Sequence, residues 1–233
     1  MAIEVYPVVH INDEAQALEQ SAVAFDAQAD GVFLIAHHAG TPEEVATVFE
    51  KVATEFPNKY IGINFLQLGT GYDALEFLKQ AKDNNQISKY PDGLWVDDAS
   101  YERQALLELR EANPELKRIQ LLGGTAFKYT KLFTENPDLA AERATDMAGF
   151  VDVVTTSGAG TGTPPTPEKI AAMKHAIGNQ QLAVASGIDA SNINSFRGSV
   201  DKILVASSVE TKPYSGVFDA EKLKAFIDLA HKD

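Results

Sequence analysis

Eight short apolar runs, each followed by a segment of helical period, limit the folds open to this chain more than any other feature. We predict the runs to be strands; they are IEVYPVVHI, GVFLIAHH, YIGINFL, GLWVDD, RIQLLGG, VDVVTTS, LAVASGI and KILVASSV. Short runs rich in Val, Ile and Leu suit strands that are buried on both faces of a parallel sheet. The alternation therefore predicts βα units with a period of roughly 20–33 residues.

The segments between the runs carry helix signals. Thr41 to Glu44 supply an N-cap, a proline and first-turn acids, and the apolar residues from Val45 to Val52 recur at helical spacing. No proline-rich linker or shift of composition divides the 233 residues. We therefore predict an α/β fold with one domain, residues 1–233, folded as a (β/α)8 TIM barrel. The alternative is an open doubly wound sheet, which would need fewer strands or a lone edge strand.

The charge balance narrows the choice of partners. Lysine and arginine number 20 against 33 acidic residues, a net charge of −13 that repels nucleic acid and anionic membranes. We expect no nucleic-acid partner and no membrane insertion, because no apolar run reaches the roughly 18 residues of a membrane span. The absence of cysteine excludes disulfides and thiolate chemistry. MAIEVYPVVH has no signal-peptide pattern, so the expected location is cytoplasmic. Whether the protein forms a homo-oligomer is left open.

A glycine-rich loop follows the sixth run. VDVVTTSGAGTGTPPTPEKI places Gly158, Gly160 and Gly162 between a strand and the helix start at Thr166. Backbone without Cβ can approach an anion closely, which is how many phosphate sites are built. A mobile turn is the alternative interpretation.

The loops after the seventh and eighth runs add similar features, and barrels commonly bind a ligand phosphate there. SGI at Ser186–Ile188 and ASS at Ala206–Ser208 offer small residues and free amides. Tight strand-to-helix turns would need small residues as well. The predicted phosphate-binding residues are Ser157, Gly158, Gly160, Thr161, Gly162, Ser186, Gly187, Ser207 and Ser208.

Active sites of such barrels lie at the C-terminal ends of the strands, and four candidate catalytic residues are predicted there: His10, Asn64, Asp97 and Lys128. Asp97 or His10 would move a proton, and Asn64 or Lys128 would stabilise an enolate-like charge. Lys128 is also a candidate Schiff-base amine or phosphate partner. Asp97 and its neighbour Asp98 point to opposite faces, so only one can face the axis. The alternatives are a helix cap near Ser100 and a surface lysine.

Metal binding has weaker support. His10, His37 or His38, and Asp97 could ligate a divalent ion if their strand ends converge, but the HxH and HExxH spacings are missing. We predict neither a metal nor a cofactor.

Several segments resemble the BtpA family of (β/α)8 barrels, related to the ribulose-phosphate-binding barrels. They are YIGINFL, FKYTKLF, VDVVTTSGAGTGTPPTPEKI, VASGIDASNI and ILVASSVETKPYSGVFDAEKL, from about Tyr60 to the C-terminus. The resemblance implies a phosphate-type site that uses Ser157, Gly158, Thr161, Gly162, Ser186, Gly187 and Asn192, with Lys212 and Gly216 in the eighth loop. Phosphoribosylanthranilate isomerase is similar more distantly, in the SG loop pattern.

The chain departs from the family at the catalytic mouth. VVHINDE replaces a first loop rich in proline and glycine, Leu66 to Leu68 replace an acidic position, and Gly123 or Gly124 replaces an aspartate. Two hypotheses remain. The first is an enzyme that acts on a small phosphorylated metabolite by isomerase, epimerase or lyase chemistry. The second is a non-catalytic BtpA-like biogenesis or assembly factor. A metal-dependent epimerase or hydrolase is a third.

Overall fold

The strands form one closed parallel barrel in sequence order in the computed structural model, which describes residues 2–36 and 40–232. They are β1 (Glu4–His10), β2 (Val32–Ile35), β3 (Ile61–Asn64), β4 (Gly93–Val96), β5 (Gln120–Gly124), β6 (Val153–Thr156), β7 (Gln181–Ala185) and β8 (Lys202–Val205). The predicted barrel is confirmed. The open doubly wound sheet is wrong, because β8 pairs with β1, Val5 opposite Ile203, and closes the ring.

Helices surround the barrel. They are α1 (Glu14–Asp26), α2 (Pro42–Glu55), α3 (Gly71–Asp83), α4 (Arg103–Ala112), α5 (Pro137–Ala148), α6 (Pro167–Ile177) and α7 (Ala220–Ala230). Between β7 and β8 a 3-10 turn, Ile193–Phe196, takes the place of an α-helix, and a second turn, Ser207–Val209, follows β8. The helix expected near Ser100 begins three residues later, at Arg103.

The start of α2 shows how the sequence sets a helix boundary. Thr41 Oγ1 accepts a hydrogen bond from Glu44 N at 3.2 Å, and Glu44 Oε2 accepts one from Thr41 N at 2.8 Å. This reciprocal capping box satisfies two N–H groups that the helix itself cannot. The predicted apolar face is buried, from Val45 through Phe49 to Val52, and packs on the barrel wall.

Aromatic side chains fill the barrel interior. The rings of Phe33 and Trp95 lie 6.3 Å apart, centroid to centroid, and those of Trp95 and Phe127 6.1 Å apart, both in edge-to-face contact. Phe33 has room because Gly62 faces it on β3, where a Cβ would overlap the ring. A bulky ring opposite a glycine is a volume-matched pair, so Phe33 packs without strain.

Four aspartates tie the barrel together at its N-terminal end. Each lies just before an even-numbered strand and accepts a hydrogen bond from a backbone N–H of the preceding odd-numbered strand. The four bonds join Asp30 to Val5, Asp92 to Ile61, Asp152 to Leu121 and Asp201 to Leu182, at 2.7–2.9 Å. The N-terminal end of a TIM barrel contributes to stability rather than to the active site, so we interpret these four carboxylates as structural.

The loops at the opposite, C-terminal end position the candidate site. We call them loop 5 (residues 125–136), loop 6 (residues 157–166), loop 7 (residues 186–192) and loop 8 (residues 206–219). Within the described ranges, every helix is too short or too polar to cross a membrane.

Candidate functional site

A cavity of about 570 Å³ opens at the C-terminal end of the barrel. Its apolar part is formed by strand residues of the barrel interior, Val8, Ile35, Trp95 and Leu204, and its polar part by residues at strand ends and in the loops. Nine of the thirteen predicted site residues line it: His10, Asp97, Lys128, Thr161, Gly162, Ser186, Gly187, Ser207 and Ser208. The volume falls within the range of about 300–1,000 Å³ that is usual for small-molecule sites.

Asp97 and Asn64 form one hydrogen-bonded unit at the ends of β4 and β3. Asn64 Nδ2 donates to Asp97 Oδ1 at 3.1 Å, and Asn64 is buried. Asp97 lines the cavity while Asn64 stands outside its lining. Asp98 lies outside the cavity lining and accepts hydrogen bonds from Ser100 N and Oγ. The helix cap that was the alternative role is not formed, because α4 begins at Arg103 and has no side-chain cap among the described residues. Asn64 is therefore placed to hold Asp97 and does not reach the cavity.

Burial acts in opposite directions on the two ionisable groups of this region. It raises the pKa of Asp97, although the hydrogen bond from Asn64 and the charge of Lys128 pull that pKa down. Burial also lowers the pKa of Lys128, against the effect of the Asp97 carboxylate. Both shifts favour the neutral forms, because a poorly solvated site penalises either charge. Groups with displaced pKa values are frequent at sites of proton transfer.

Loop 5 holds Lys128 in place through an unusual backbone. Ala126 and Tyr129 both have left-handed backbone, with φ of 47° and 62°. Between them, Phe127 turns into the barrel and Lys128 lines the cavity, its Nζ 5.8 Å from the centre of the Phe127 ring. Residues with a Cβ rarely adopt this conformation, and it concentrates at functional sites. Lys128 is thus a cavity residue and not a surface lysine.

A buried lysine that sequence reasoning missed fixes this loop. Lys169 Nζ, from α6, donates to the carbonyl oxygens of Ala126 at 2.9 Å and Ser157 at 2.7 Å, and lies 3.5 Å from Glu135 Oε1. Burial lowers the pKa of Lys169 to about 8, with Glu135 acting against the shift. Lys169 lies one turn into a helix, where a solvated lysine is the ordinary expectation, so the sequence carries no clear signal for its role.

His10 has a buried acidic neighbour. His10 Nδ1 lies 3.5 Å from Glu210 Oε1, and Glu210, in loop 8, is fully buried. The other carboxylate oxygen, Oε2, accepts a hydrogen bond from Ser215 N at 3.0 Å. A carboxylate beside an imidazole orients the ring. Glu210 was not predicted, although an acid two residues after ASS, at the end of the eighth run, was a usable signal.

Three of the predicted phosphate residues serve packing between loops. Ser157 is buried, and its Oγ accepts a hydrogen bond from Lys128 N at 2.8 Å. Gly158 faces the backbone of Thr163 and Pro164 so closely that a Cβ would overlap it. Gly160 accepts a hydrogen bond from Ser186 Oγ at 2.8 Å. None of these three lines the cavity; they join loops 5, 6 and 7.

Free backbone donors cluster on the wall formed by loops 6, 7 and 8. The N–H groups of Gly162, Gly187, Ser207 and Ser208 have no hydrogen-bond partner among residues 2–36 and 40–232, and the same holds for the Ser207 hydroxyl. The Ser208 hydroxyl is engaged, because it donates to Ile188 O at 2.9 Å. Unpaired N–H groups at a cavity wall are donors that an anion can use.

The metal hypothesis rested on residues that the structure describes only in part. His37 and His38 lie outside the described residues. Within the remainder of the chain, no three His, Asp or Glu side chains group closely enough to hold a metal ion.

The fold and the cavity define a (β/α)8 barrel whose cavity, at the C-terminal ends of the strands, is lined by the ionisable side chains of Asp97 and Lys128. Neither a family model nor a curated protein matches the chain. The BtpA resemblance therefore stays a prediction.

Solved structures of the same fold do match. Phosphoribosyl anthranilate isomerase from Thermus thermophilus is 16% identical, with a TM-score of 0.65 over 97% of this chain and 98% of that one. Tryptophan synthase from M. tuberculosis is 13% identical, with a TM-score of 0.65 over 99% and 93%. (S)-3-O-geranylgeranylglyceryl phosphate synthase from Thermoplasma acidophilum, in complex with its substrate sn-glycerol-1-phosphate, is 12% identical, with a TM-score of 0.63 over 99% and 93%. At these identities the likeness shows the fold alone.

Proposed function

We propose that the protein is an enzyme that acts on a small phosphorylated metabolite, a sugar phosphate or phosphoribosyl compound, by isomerase, epimerase or carbon–carbon lyase chemistry. The observation that carries the proposal is the division of the cavity. Free N–H groups of Gly187 and Ser207 lie beside β7 and β8, and Asp97 and Lys128 lie beside β4 and β5. In the closed barrel β4 is opposite β8, so a bound phosphate and the reacting carbons would lie on opposite walls.

The phosphate would be held by neutral donors. Backbone N–H groups of Gly162, Gly187, Ser207 and Ser208 would donate to the anion without the desolvation cost of a buried cation. Asp189 also lines the cavity, but its Oδ1 accepts hydrogen bonds from Ser191 N and Asn192 N. Two structural neighbours support this assignment by their names: one is a phosphoribosyl compound isomerase, and the other contains sn-glycerol-1-phosphate.

The reaction would begin with proton transfer to Asp97. Its carboxylate takes a proton from a carbon next to a carbonyl group, and the Lys128 ammonium stabilises the negative charge that develops on the carbonyl oxygen. The carboxylic acid then returns the proton to a neighbouring carbon or oxygen. The raised pKa of Asp97 strengthens it as a base, and Asn64 keeps it oriented. His10, beside Glu210, is the second proton carrier.

Thermal melts at fixed ionic strength test the phosphate assignment. The ligands are inorganic phosphate, sulfate, glycerol phosphate and ribose 5-phosphate, and the proteins are the wild type, Ser207→Asp and Ser195→Asp. Ser195 is exposed and outside the cavity, so its variant controls for added charge. A ligand at about 100 times its Kd adds roughly 2.7 kcal/mol, a rise of roughly 5–10 °C in Tm. We expect the rise in the wild type and Ser195→Asp and its loss in Ser207→Asp. Equal shifts in all three proteins, or no shift in any, would reject the phosphate site.

The alternative function is a non-catalytic barrel that acts as an assembly factor. The observation in its favour is that β5 ends in Gly123 and Gly124. Glycine has no side chain, so these two positions supply no group for acid–base chemistry. Turnover that depends on Asp97 would exclude it, and stoichiometric co-purification with a partner complex would favour it.

A further inference from the structure

Two exposed tyrosines stand at the mouth of the cavity. Tyr129, in loop 5, is 79% exposed, and Tyr214, in loop 8, is 65% exposed, more than any other large hydrophobic residue among those the structure describes. Both line the cavity, together with the exposed Leu66. Aromatic side chains are normally largely buried because they carry a large apolar area. Exposure at a cavity mouth therefore indicates surface that is covered when a ligand is bound.

The backbone holds both tyrosines in an unfavourable conformation. The φ angles are 62° at Tyr129 and 64° at Tyr214, in the left-handed region that residues with a Cβ avoid. Two tyrosines in this region at one cavity mouth require contacts that hold them there, and such strain is characteristic of ligand-binding sites.

The contacts converge on Thr161 in loop 6. Thr161 N donates a hydrogen bond to Tyr129 Oη at 3.2 Å, and Tyr214 Oη donates one to Thr161 O at 3.4 Å. One hydroxyl group thus bonds to the N–H and the other to the carbonyl oxygen of a single residue, while the rings stay exposed. This arrangement also occupies the Thr161 N–H, so Thr161, which the sequence predicts as a phosphate ligand, instead positions the two rings.

The rest of the cavity suits an apolar group. Its volume of about 570 Å³ is more than a phosphate and a short carbon chain require, and Val8, Trp95 and Leu204 form an apolar floor. A sugar phosphate alone is polar, so no apolar group of the ligand would contact these side chains. A flat apolar group would cover them and the tyrosine rings together.

We propose that Tyr129 and Tyr214 form a recognition site for an aromatic ring, so that the substrate is a phosphate ester that carries an aromatic group. The inference rests on the proposed function for the phosphate, and on the tyrosines and the apolar floor for the ring. Ring–ring contacts prefer offset-stacked and edge-to-face arrangements, and two tyrosines fixed to one threonine present preorganised surfaces for them.

Calorimetric titrations with three probes separate the two parts of the site. 1-Naphthyl phosphate has the ring and the phosphate, 1-naphthol has only the ring, and glycerol phosphate has only the phosphate. The proteins are the wild type, Tyr129→Ala, Tyr214→Ala, Tyr129→Phe and the control Tyr101→Ala. Tyr101 is 46% exposed and lies outside the cavity.

We expect 1-naphthyl phosphate to bind the wild type at least tenfold more tightly than glycerol phosphate. Tyr129→Ala and Tyr214→Ala should each reduce the affinity for 1-naphthyl phosphate and for 1-naphthol by about fivefold to tenfold. The affinity of both variants for glycerol phosphate should stay within about twofold of the wild-type value. Tyr129→Phe keeps the ring but loses the hydrogen bond to Thr161, so it should weaken binding of the two ring probes less than Tyr129→Ala does. Tyr101→Ala should resemble the wild type.

Equal wild-type affinities for 1-naphthyl phosphate and glycerol phosphate would overturn the inference, as would alanine variants that weaken all three probes alike. If glycerol phosphate does not bind but 1-naphthol binds in a tyrosine-dependent manner, the ring site stands and the phosphate part of the proposed function fails.

Discussion

Asn64 Nδ2 donates a hydrogen bond to Asp97 Oδ1 at 3.1 Å and so joins residues 33 positions apart at the ends of neighbouring strands. The Asp97 carboxylate thus receives one hydrogen bond from a buried donor, whereas in bulk water it would receive several. Burial therefore still dominates and raises the pKa of Asp97. Asp97 combines a fixed orientation with a raised pKa, which are the two properties that a general base in this cavity needs.

Replacing Asp97 with asparagine should stabilise the protein and strongly reduce turnover. A carboxyl group whose pKa is raised in the folded state contributes most to stability below its unfolded pKa of about 3.9, and that contribution is lost as the pH rises through the folded pKa. Asparagine resembles the protonated form, so Asp97→Asn should raise Tm at pH 7, and the gain should shrink towards pH 4. Turnover on an identified substrate should fall about 10²-fold to 10⁴-fold.

Melts of Asp97→Asn and Asp98→Asn between pH 4 and 7 check this prediction. Asp98 lies next to Asp97 but outside the cavity lining, and asparagine keeps the acceptor for Ser100 N, so Asp98→Asn controls for the loss of one negative charge at this strand end. A Tm difference for Asp97→Asn that does not vary with pH would contradict the role of burial. Unchanged turnover would remove Asp97 as the base.

Replacing Lys169 with methionine should destabilise the protein, and more strongly at high pH. The substitution leaves the buried carbonyl oxygens of Ala126 and Ser157 without their donor, at a cost of about 3 kcal/mol at pH 7. The pKa of Lys169, lowered by burial to about 8, lies below the unfolded value of about 10.4. The folded protein therefore loses this proton first, and the contribution of Lys169 to stability rises by roughly 3 kcal/mol between these two pH values.

Urea unfolding of the wild type, Lys169→Met and Lys131→Met from pH 7 to 10.5 measures the effect. Lys131 is an exposed lysine in the same loop as Ala126. The titrations of other groups cancel in the difference between the variants. A cost of Lys169→Met that is constant over this range would show that Lys169 keeps its proton in the folded state.

Replacing Gly187 with alanine should destabilise the protein, because Gly187 packs against loop 6. Gly187 has a φ of 66°, and a Cβ there would overlap the backbone of Thr163 and Pro164. The left-handed backbone and the overlap together should cost about 2–5 kcal/mol. Gly198, with a φ of 78° and nothing near its Cβ position, should show only the backbone cost of about 1–2 kcal/mol. Chemical unfolding of both variants measures the two costs, and equal costs would show that Gly187 does not lie against the backbone of Thr163 and Pro164.

Replacing Asp92 with alanine should weaken the barrel without altering the site. Asp92 Oδ2 accepts a hydrogen bond from Ile61 N at 2.9 Å, at the end of the barrel away from the cavity. Its loss should cost about 1–3 kcal/mol, while Asp146→Ala, an exposed aspartate on α5, should cost less than about 0.5 kcal/mol. Affinity for phosphate esters should match the wild type in both. A large loss of affinity in Asp92→Ala would mean that the two ends of the barrel are coupled.

The sequence by itself determined the barrel and identified nine of the residues that line the cavity. Buried parallel strands must be apolar on both faces, so eight such runs identify the strands directly. Once the barrel is predicted, the residues after each run must lie at one end, which is how His10, Asp97 and Ser207 could be named in advance.

Tertiary structure alone decided which of those residues reach the cavity and what stands beside them. Loop backbone depends on contacts with other loops, so the left-handed φ angles of Tyr129 and Tyr214, and their shared partner Thr161, leave no pattern in the sequence. The same is true of Lys169, whose burial depends on how α6 lies under loops 5 and 6. A local pattern encodes which face of an element is buried, whereas charge and hydrogen bonding at a site depend on neighbours that are remote in the chain.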